Sequence, residues 1–173
     1  MLTVLLFISF HVYGQENSSK EDFLRIAKYL SAGTGNWKTP NPGYNAQNPQ
    51  SIKEFELRFS LDLRANLFHL VHYSHRNDTS AITSESYWFW HPTDQMIKYR
   101  SIDLSGDFTD GKTFMIADDT FYTVVYRYNT NGRIALRKDT NIILSENEHS
   151  VLSSVFRQGR WQPVAEFSLK KSN

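Results

Sequence analysis

Residues 54–63 read EFELRFSLDL, and this alternation of polar and apolar side chains decides the fold class. Successive side chains of a β-strand point to opposite faces, so a strict period of two is typical of a strand with one buried and one solvated face. The odd-numbered side chains here are apolar, and we expect them to point inward. Phe55, Leu57 and Phe59 are therefore predicted to face the interior of a β-rich domain.

The same alternation recurs to the end of the chain, in short runs separated by turns rich in Gly, Asn and Asp. The further runs are residues 67–73, 84–91, 96–103, 113–117, 121–128, 133–138, 150–156 and 161–169. With a short strand around Trp37, they predict about ten strands in meander order. An antiparallel up-and-down β-barrel is the favoured architecture because closure removes the exposed sheet edges. An open sheet backed by a helix is the structural alternative.

One helix is predicted before the strands, over residues 19–31. Ser18 and Glu21 have the spacing of a capping box, and Gly33 ends the helical pattern. Apolar residues follow the cap at the i, i+3, i+4, i+7 spacing of a single buried stripe, namely Phe23, Ile26, Ala27 and Leu30. We expect this helix to close one end of a barrel that spans residues 34–170.

The charge balance excludes several function classes. Lys and Arg number 19 against 18 Asp and Glu, which gives a formal net charge of +1. Nothing in this balance indicates a nucleic-acid partner or an anionic membrane surface. Aromatic residues make up 14% of the chain and sit largely within the alternating runs, so we expect a large aromatic interior.

The first 14 residues, MLTVLLFISFHVYG, form an apolar run that is predicted to be a signal peptide cleaved between Gly14 and Gln15. The run is shorter than the roughly 20 residues that span a bilayer. No Lys or Arg precedes it, which leaves a mis-assigned start or a buried terminal segment as alternatives. The mature chain, residues 15–173, would be a single exported domain, periplasmic or secreted, without an integral membrane segment. It contains no cysteine, so its core alone must stabilise it.

Residues Gly35, Asn36 and Trp37, which follow the helix, resemble the Gly-x-Trp entry to the first barrel strand of lipocalins and their calycin relatives. The resemblance implies that Trp37 packs across the barrel floor beneath a basic side chain from the late strands, here Arg157 or Arg160. The stretches NPGYNAQNP, SYWFWHP and QGRWQPVAEFSLKK are closer to uncharacterised bacterial calycin-like proteins of this length. This resemblance implies a barrel with an internal cavity and no particular reaction.

The histidines predict neither a metal site nor a cofactor. His69, His72 and His75 are spaced H-x-x-H-x-x-H, but alternation along a strand disperses them, whereas a tetrahedral site needs converging ligands. His149 is the one positional candidate for the haem that the related nitrobindin barrels hold. The acidic residues Glu146 and Glu148 beside it predict an exposed strand end instead. We therefore expect no cofactor, with haem as the alternative.

The stretch SYWFWH at residues 86–91 separates into two faces. Alternation places Trp88 and Trp90 together, and we expect them to point inward, with Tyr87 and Phe89 against the outside or the opening helix. A barrel of this size keeps an internal cavity unless large side chains fill it. The predicted ligand-binding residues are Trp37, Phe55, Leu57, Phe59, His69, Trp88, Trp90, Tyr99 and Tyr126.

The predicted function is therefore an exported barrel that holds a small hydrophobic or aromatic ligand in its cavity. Two alternatives stay open. A filled interior would make the protein a structural or partner-binding barrel. A cavity histidine, His69 or His91, would suit a barrel enzyme such as an isomerase or hydrolase.

Overall fold

The computed structural model describes residues 18–64, 66–77 and 79–172, which form one helix and ten strands. The elements are α1 (Lys20–Ser31), β1 (Asn36–Pro40), β2 (Glu54–Asp62), β3 (Leu67–His75), β4 (Ser80–His91), β5 (Met96–Asp103), β6 (Phe108–Ala117), β7 (Thr120–Tyr128), β8 (Ile134–Ser145), β9 (Glu148–Arg157) and β10 (Arg160–Lys171). Each strand pairs antiparallel with its neighbours in sequence, and β1 also pairs with β10. The predicted fold class, a closed up-and-down barrel with an N-terminal helix, is confirmed. The predicted signal peptide, residues 1–14, lies outside the described residues.

The N-cap of the helix lies one residue later than predicted. Ser19, not Ser18, is the N-cap: its hydroxyl accepts the Asp22 backbone N–H at 3.0 Å, and the Asp22 carboxylate accepts the Ser19 N–H at 2.9 Å. Ser18 instead is buried and donates its hydroxyl to the Thr113 carbonyl at 2.8 Å. The prediction of a Ser18–Glu21 box was wrong because Ser18 anchors the helix to β6 and leaves the cap to its neighbour. No helix in the described part of the chain is long and apolar enough to cross a membrane.

Helix α1 closes one end of the barrel. Its buried stripe, Phe23, Ile26, Ala27 and Leu30, belongs to the central apolar core. Polar contacts hold its exposed face to the turns at that end: Arg25 pairs with Asp118 at 2.7 Å, and the Tyr29 hydroxyl lies 3.0 Å from the Ser145 carbonyl oxygen. The Trp37 indole N–H donates to the Leu30 carbonyl at 2.7 Å, which joins the first strand to the end of the helix. We call the end of the barrel that α1 covers the closed end.

The core fills the half of the barrel next to α1. Phe59 and Phe68 stack with ring centroids 5.2 Å apart, and Trp88 packs against both. The Trp88 indole N–H donates to the buried Thr113 hydroxyl at 3.0 Å, so its polar atom is satisfied. Trp90 is half-buried against the same core. The predicted inward face of residues 86–91 is therefore confirmed for Trp88.

Several strands are longer than the sequence pattern predicted, and β6 and β8 are extended the most. β6 starts at Phe108 rather than at residue 113, and β8 runs to Ser145 rather than ending at residue 138. In β6, Gly111 lets the backbones approach closely, since a Cβ there would lie 2.2 Å from the Val124 carbonyl oxygen. In β8, Asp139 faces the barrel interior and interrupts the apolar period. Pairing with β7 extends both strands through residues of low strand propensity.

Candidate functional site

The barrel half away from α1 contains a cavity of about 660 Å³. The inward side chains of most strands form its wall, and the cavity reaches the turn between β5 and β6. We call this end of the barrel the open end. The apolar lining residues are Phe55, Leu57, Val125, Val151, Phe167 and Leu169, and the polar and charged ones include Thr39, His72, Ser84, Tyr99, Ser101, Asp103, Asp107, Thr109, Arg127, Arg137, Asp139 and Ser153.

A second cavity of about 110 Å³ lies between the large cavity and the core. It shares Leu57, His72 and Tyr99 with the large cavity, and its other lining includes Trp88 and His149. At roughly 30 Å³ per molecule of liquid water, this volume has room for a few water molecules only. The interior is thus filled near the helix and hollow toward the open end.

Aromatic rings form one side of the large cavity. Phe55 on β2 and Phe167 on β10 meet edge to face, with ring centroids 6.4 Å apart. Leu57 continues this apolar surface toward the core. The arrangement provides a wall against which a flat or branched apolar group can pack.

A cluster of ion pairs lies at the open end, and its charged side chains pair with one another. The Arg127 guanidinium donates to Asp103 and to Asp107, both at 2.8 Å. Asp107 also accepts the Thr130 backbone N–H at 2.9 Å. This backbone hydrogen bond and the Arg127 guanidinium lower the pKa of Asp107. These contacts tie the β5–β6 turn to β7, so the charge of Arg127 is already matched.

A second polar group occupies the middle of the cavity wall. Arg137 and Asp139 are two residues apart on β8 and both point inward. Asp139 accepts the Ser153 hydroxyl at 2.5 Å. The Nε atom of Arg137 is buried and has no hydrogen-bond partner among the described residues. The Tyr99 hydroxyl, which shares a hydrogen bond of 3.0 Å with Ser86, faces the same space, and burial raises the pKa of Tyr99.

His72 contributes a neutral ring to the cavity wall. Burial lowers its pKa to about 4, so at neutral pH it offers one nitrogen as a donor and one as an acceptor. His69 and His75, its neighbours in the H-x-x-H-x-x-H spacing, point outward. Within the described ranges, no group of three or more His, Asp or Glu side chains has the arrangement of a metal site.

The structure brings several of the predicted ligand-binding residues together. Phe55, Leu57 and Tyr99 border the large cavity, and Phe59 and Trp88 border the small one. Trp37 is fully buried in the floor beneath them, and Trp90 packs in the core wall without reaching either cavity.

His69 and Tyr126 were predicted to lie in the cavity. This prediction was wrong, since both side chains lie on the outer surface. His69 stacks on Tyr87 with ring centroids 4.6 Å apart and lies 3.3 Å from Glu85, while its strand neighbours Phe68 and Leu70 occupy the interior. Tyr126 is 51% exposed, since Val125 on the same strand takes the inward position. His91, at the end of β4, accepts the Asp94 backbone N–H in a turn at the closed end, outside the cavity lining.

Two predictions about the barrel floor are also corrected. Lys171, not Arg157 or Arg160, covers Trp37, with its ammonium nitrogen 4.7 Å from the ring centroid. Arg157 and Arg160 pair across the β9–β10 turn at the other end of these strands, whereas Trp37 is in register with Lys171.

His149 is buried rather than exposed at a strand end. Its side chain is 2% exposed and packs edge to face on Trp37 at a centroid distance of 4.7 Å. Burial, with the Lys171 charge nearby, lowers its pKa to about 4. It borders only the small cavity, which is too small to hold a haem beside it.

Sequence reasoning missed the polar wall of the cavity, above all His72, Arg137 and Asp139. A charged residue in an alternating pattern is normally assigned to the solvent face. The pairing register between β7 and β8 would identify the inward face, because Arg137 lies opposite Val125 and the two side chains share a face.

No family model matches the chain, and no curated protein matches it significantly.

Proposed function

We propose that this protein is a small-molecule-binding barrel whose ligand has an apolar body and a polar end. The cavity of about 660 Å³ carries the proposal, because ligand pockets usually measure about 300–1,000 Å³ and combine an apolar lining with a few convergent polar groups. Phe55, Phe167 and Leu57 would receive the apolar body. The mixed lining supports an amphipathic ligand.

The resemblance to calycin barrels supports the same proposal, since Trp37 sits in the floor beneath a basic side chain, although the basic residue is Lys171. The apolar run at residues 1–14 supports export to the periplasm or the exterior. A ligand taken from those compartments would enter at the open end. A wholly filled interior, the structural alternative, is hard to reconcile with this cavity.

The proposal is tested by filling the cavity. Ser101→Trp places an indole on the cavity side of β5, and Ile102→Trp places the same side chain on the exposed outer side one residue further. We expect the neutral fluorescent probe N-phenyl-naphthylamine to bind the wild-type protein and the Ile102→Trp variant, and to bind Ser101→Trp much more weakly. Equal binding by both variants, or no binding by any of the three proteins, would overturn the proposal. Native mass spectrometry of the purified wild-type chain would identify a co-purified ligand.

A further inference from the structure

Arg137 is a half-buried cation in the cavity wall, and no carboxylate of the described residues forms an ion pair with it. Arg137 lies near the start of β8, opposite Val125 on β7 and Val155 on β9, and faces the large cavity. Its Nε has no hydrogen-bond partner in the described part of the chain. An arginine side chain does not lose its proton in a protein, so it cannot relieve this cost by becoming neutral. Only an acceptor from outside the described residues can satisfy it.

The other cation of the cavity lining, Arg127, already has carboxylate partners. Arg127 is paired with Asp103 and Asp107, both at 2.8 Å. Asp139 accepts the Ser153 hydroxyl at 2.5 Å, and no ion pair joins it to Arg137. Among the charged residues described around this cavity, Arg137 is thus the cation that remains open to a ligand.

We infer that Arg137 anchors the acidic group of the ligand, and that this group is a carboxylate or another singly charged acid. The inference rests on the proposed binding function. A guanidinium presents a planar fork of N–H donors that matches the two oxygens of a carboxylate. Asp139, two residues away on the same face, places a negative charge near the bound acid. A doubly charged group such as a phosphate monoester would be repelled more strongly than a carboxylate.

The surroundings of Arg137 fit the rest of such a ligand. The Tyr99 hydroxyl can donate to a ligand oxygen while it accepts a hydrogen bond from Ser86, with which it is 3.0 Å apart. The Phe55–Phe167 pair, elsewhere on the same cavity wall, offers an apolar surface for the body of the molecule. The structure therefore assigns the ligand to the class of small amphipathic carboxylic acids.

The test compares two probes that differ only in charge, naphthaleneacetic acid and naphthaleneacetamide, by isothermal titration calorimetry on the full chain. Hydrogen bonds to a charged group contribute about 1.5–3 kcal/mol, so we expect the wild-type protein to bind the acid at least about tenfold more tightly than the amide. Arg137→Gln should remove this preference by weakening binding of the acid far more than binding of the amide. Arg133→Gln, which removes an exposed turn arginine, should keep the wild-type preference. Naphthyl phosphate should bind no more tightly than the acid.

Four results would overturn the inference. Equal affinity of the wild-type protein for acid and amide would refute the Arg137 anchor while leaving the binding function intact, and this comparison needs no variant. If a folded Arg137→Gln protein binds neither the acid nor the amide, then Arg137 has a structural role and is not the anchor. Tighter binding of naphthyl phosphate than of the acid would refute the preference for a single charge. Binding of neither probe would overturn the proposed function together with the inference.

Discussion

The buried ring of His149 predicts a stability that depends on pH in a defined window. His149 is 2% exposed and packs edge to face on Trp37, with the Lys171 charge nearby, and its Nδ1 has no hydrogen-bond partner in the described structure. A proton added to this ring would create a buried cation with no acceptor and with the Lys171 charge close by. The folded protein therefore keeps the ring neutral.

The size of the effect follows from the pKa. It falls from the ordinary value of 6.5 in the unfolded chain to about 4 in the folded protein. Between these two values the unfolded chain binds a proton that the folded chain excludes, so the free energy of unfolding falls as the pH falls. One proton corresponds to about 1.4 kcal/mol per pH unit, and the whole window to about 3 kcal/mol.

The perturbation is His149→Met, which keeps a similar volume and removes the titrating group. We expect the free energy of unfolding, measured by urea titration with tryptophan fluorescence, to fall less steeply for the variant than for the wild type between about pH 6.5 and pH 4. His72, whose pKa is also lowered to about 4, should cause a parallel loss that the variant retains.

The control is His91→Gln, which removes a half-exposed histidine from a turn and should preserve the wild-type profile. Parallel profiles for His149→Met and the wild type across this window would refute the reasoning, because they would mean that the folded protein accommodates a charged His149.

Three further predictions concern the closed end and the core, and urea unfolding measures each of them. Thr113→Val should lower the free energy of unfolding by about 1–3 kcal/mol, because it leaves the Trp88 indole N–H and the Thr123 hydroxyl without their partner; Thr79→Val, at an exposed position, should change it little. Gly35→Ala should destabilise far more than Gly33→Ala: both glycines have φ of +66°, but only at Gly35 would the new Cβ meet a carbonyl oxygen, that of Phe59, at 2.2 Å. Equal losses for the two would show that the backbone relieves the contact. Lys171→Met should cost about 0.5–1 kcal/mol through the lost contact with the Trp37 ring, and histidine NMR titration should show a higher pKa for His149; Lys170→Met, whose side chain is exposed, should do neither.

The strands that enclose the core could be predicted because their inward residues are apolar. The pattern of Phe55, Leu57 and Phe59 identifies both the element and its buried face. The start of β6 and the end of β8 could not be predicted, because inward residues there, such as Thr109 and Asp139, face the cavity rather than the core. In these two strands, the inward positions that interrupt the apolar alternation thus line the cavity.

The candidate site shows the same division. Its apolar side follows from periodicity, whereas Arg137 and His72 need the register between strands, which sequence alone does not define. His149 was misjudged because two acids flank it, yet in a strand the immediate neighbours of a residue say little about its own face. Tyr126 and His69 were misjudged because aromatic character was taken as evidence of burial, and both pack on the outer wall.

The pairing of β1 with β10 joins the two ends of the described chain, with Trp37 opposite Lys171. Every other strand pairing is between neighbours in sequence, so it forms early and at a small cost in loop-closure entropy. The pairing of β1 with β10 must instead close a loop that contains the whole barrel. Barrel closure is therefore expected to be the last and slowest event of folding. Until it occurs, the edges of β1 and β10 are unpaired and open to association with other chains. The large cavity, which needs wall residues from both β2 and β10, forms only at that step.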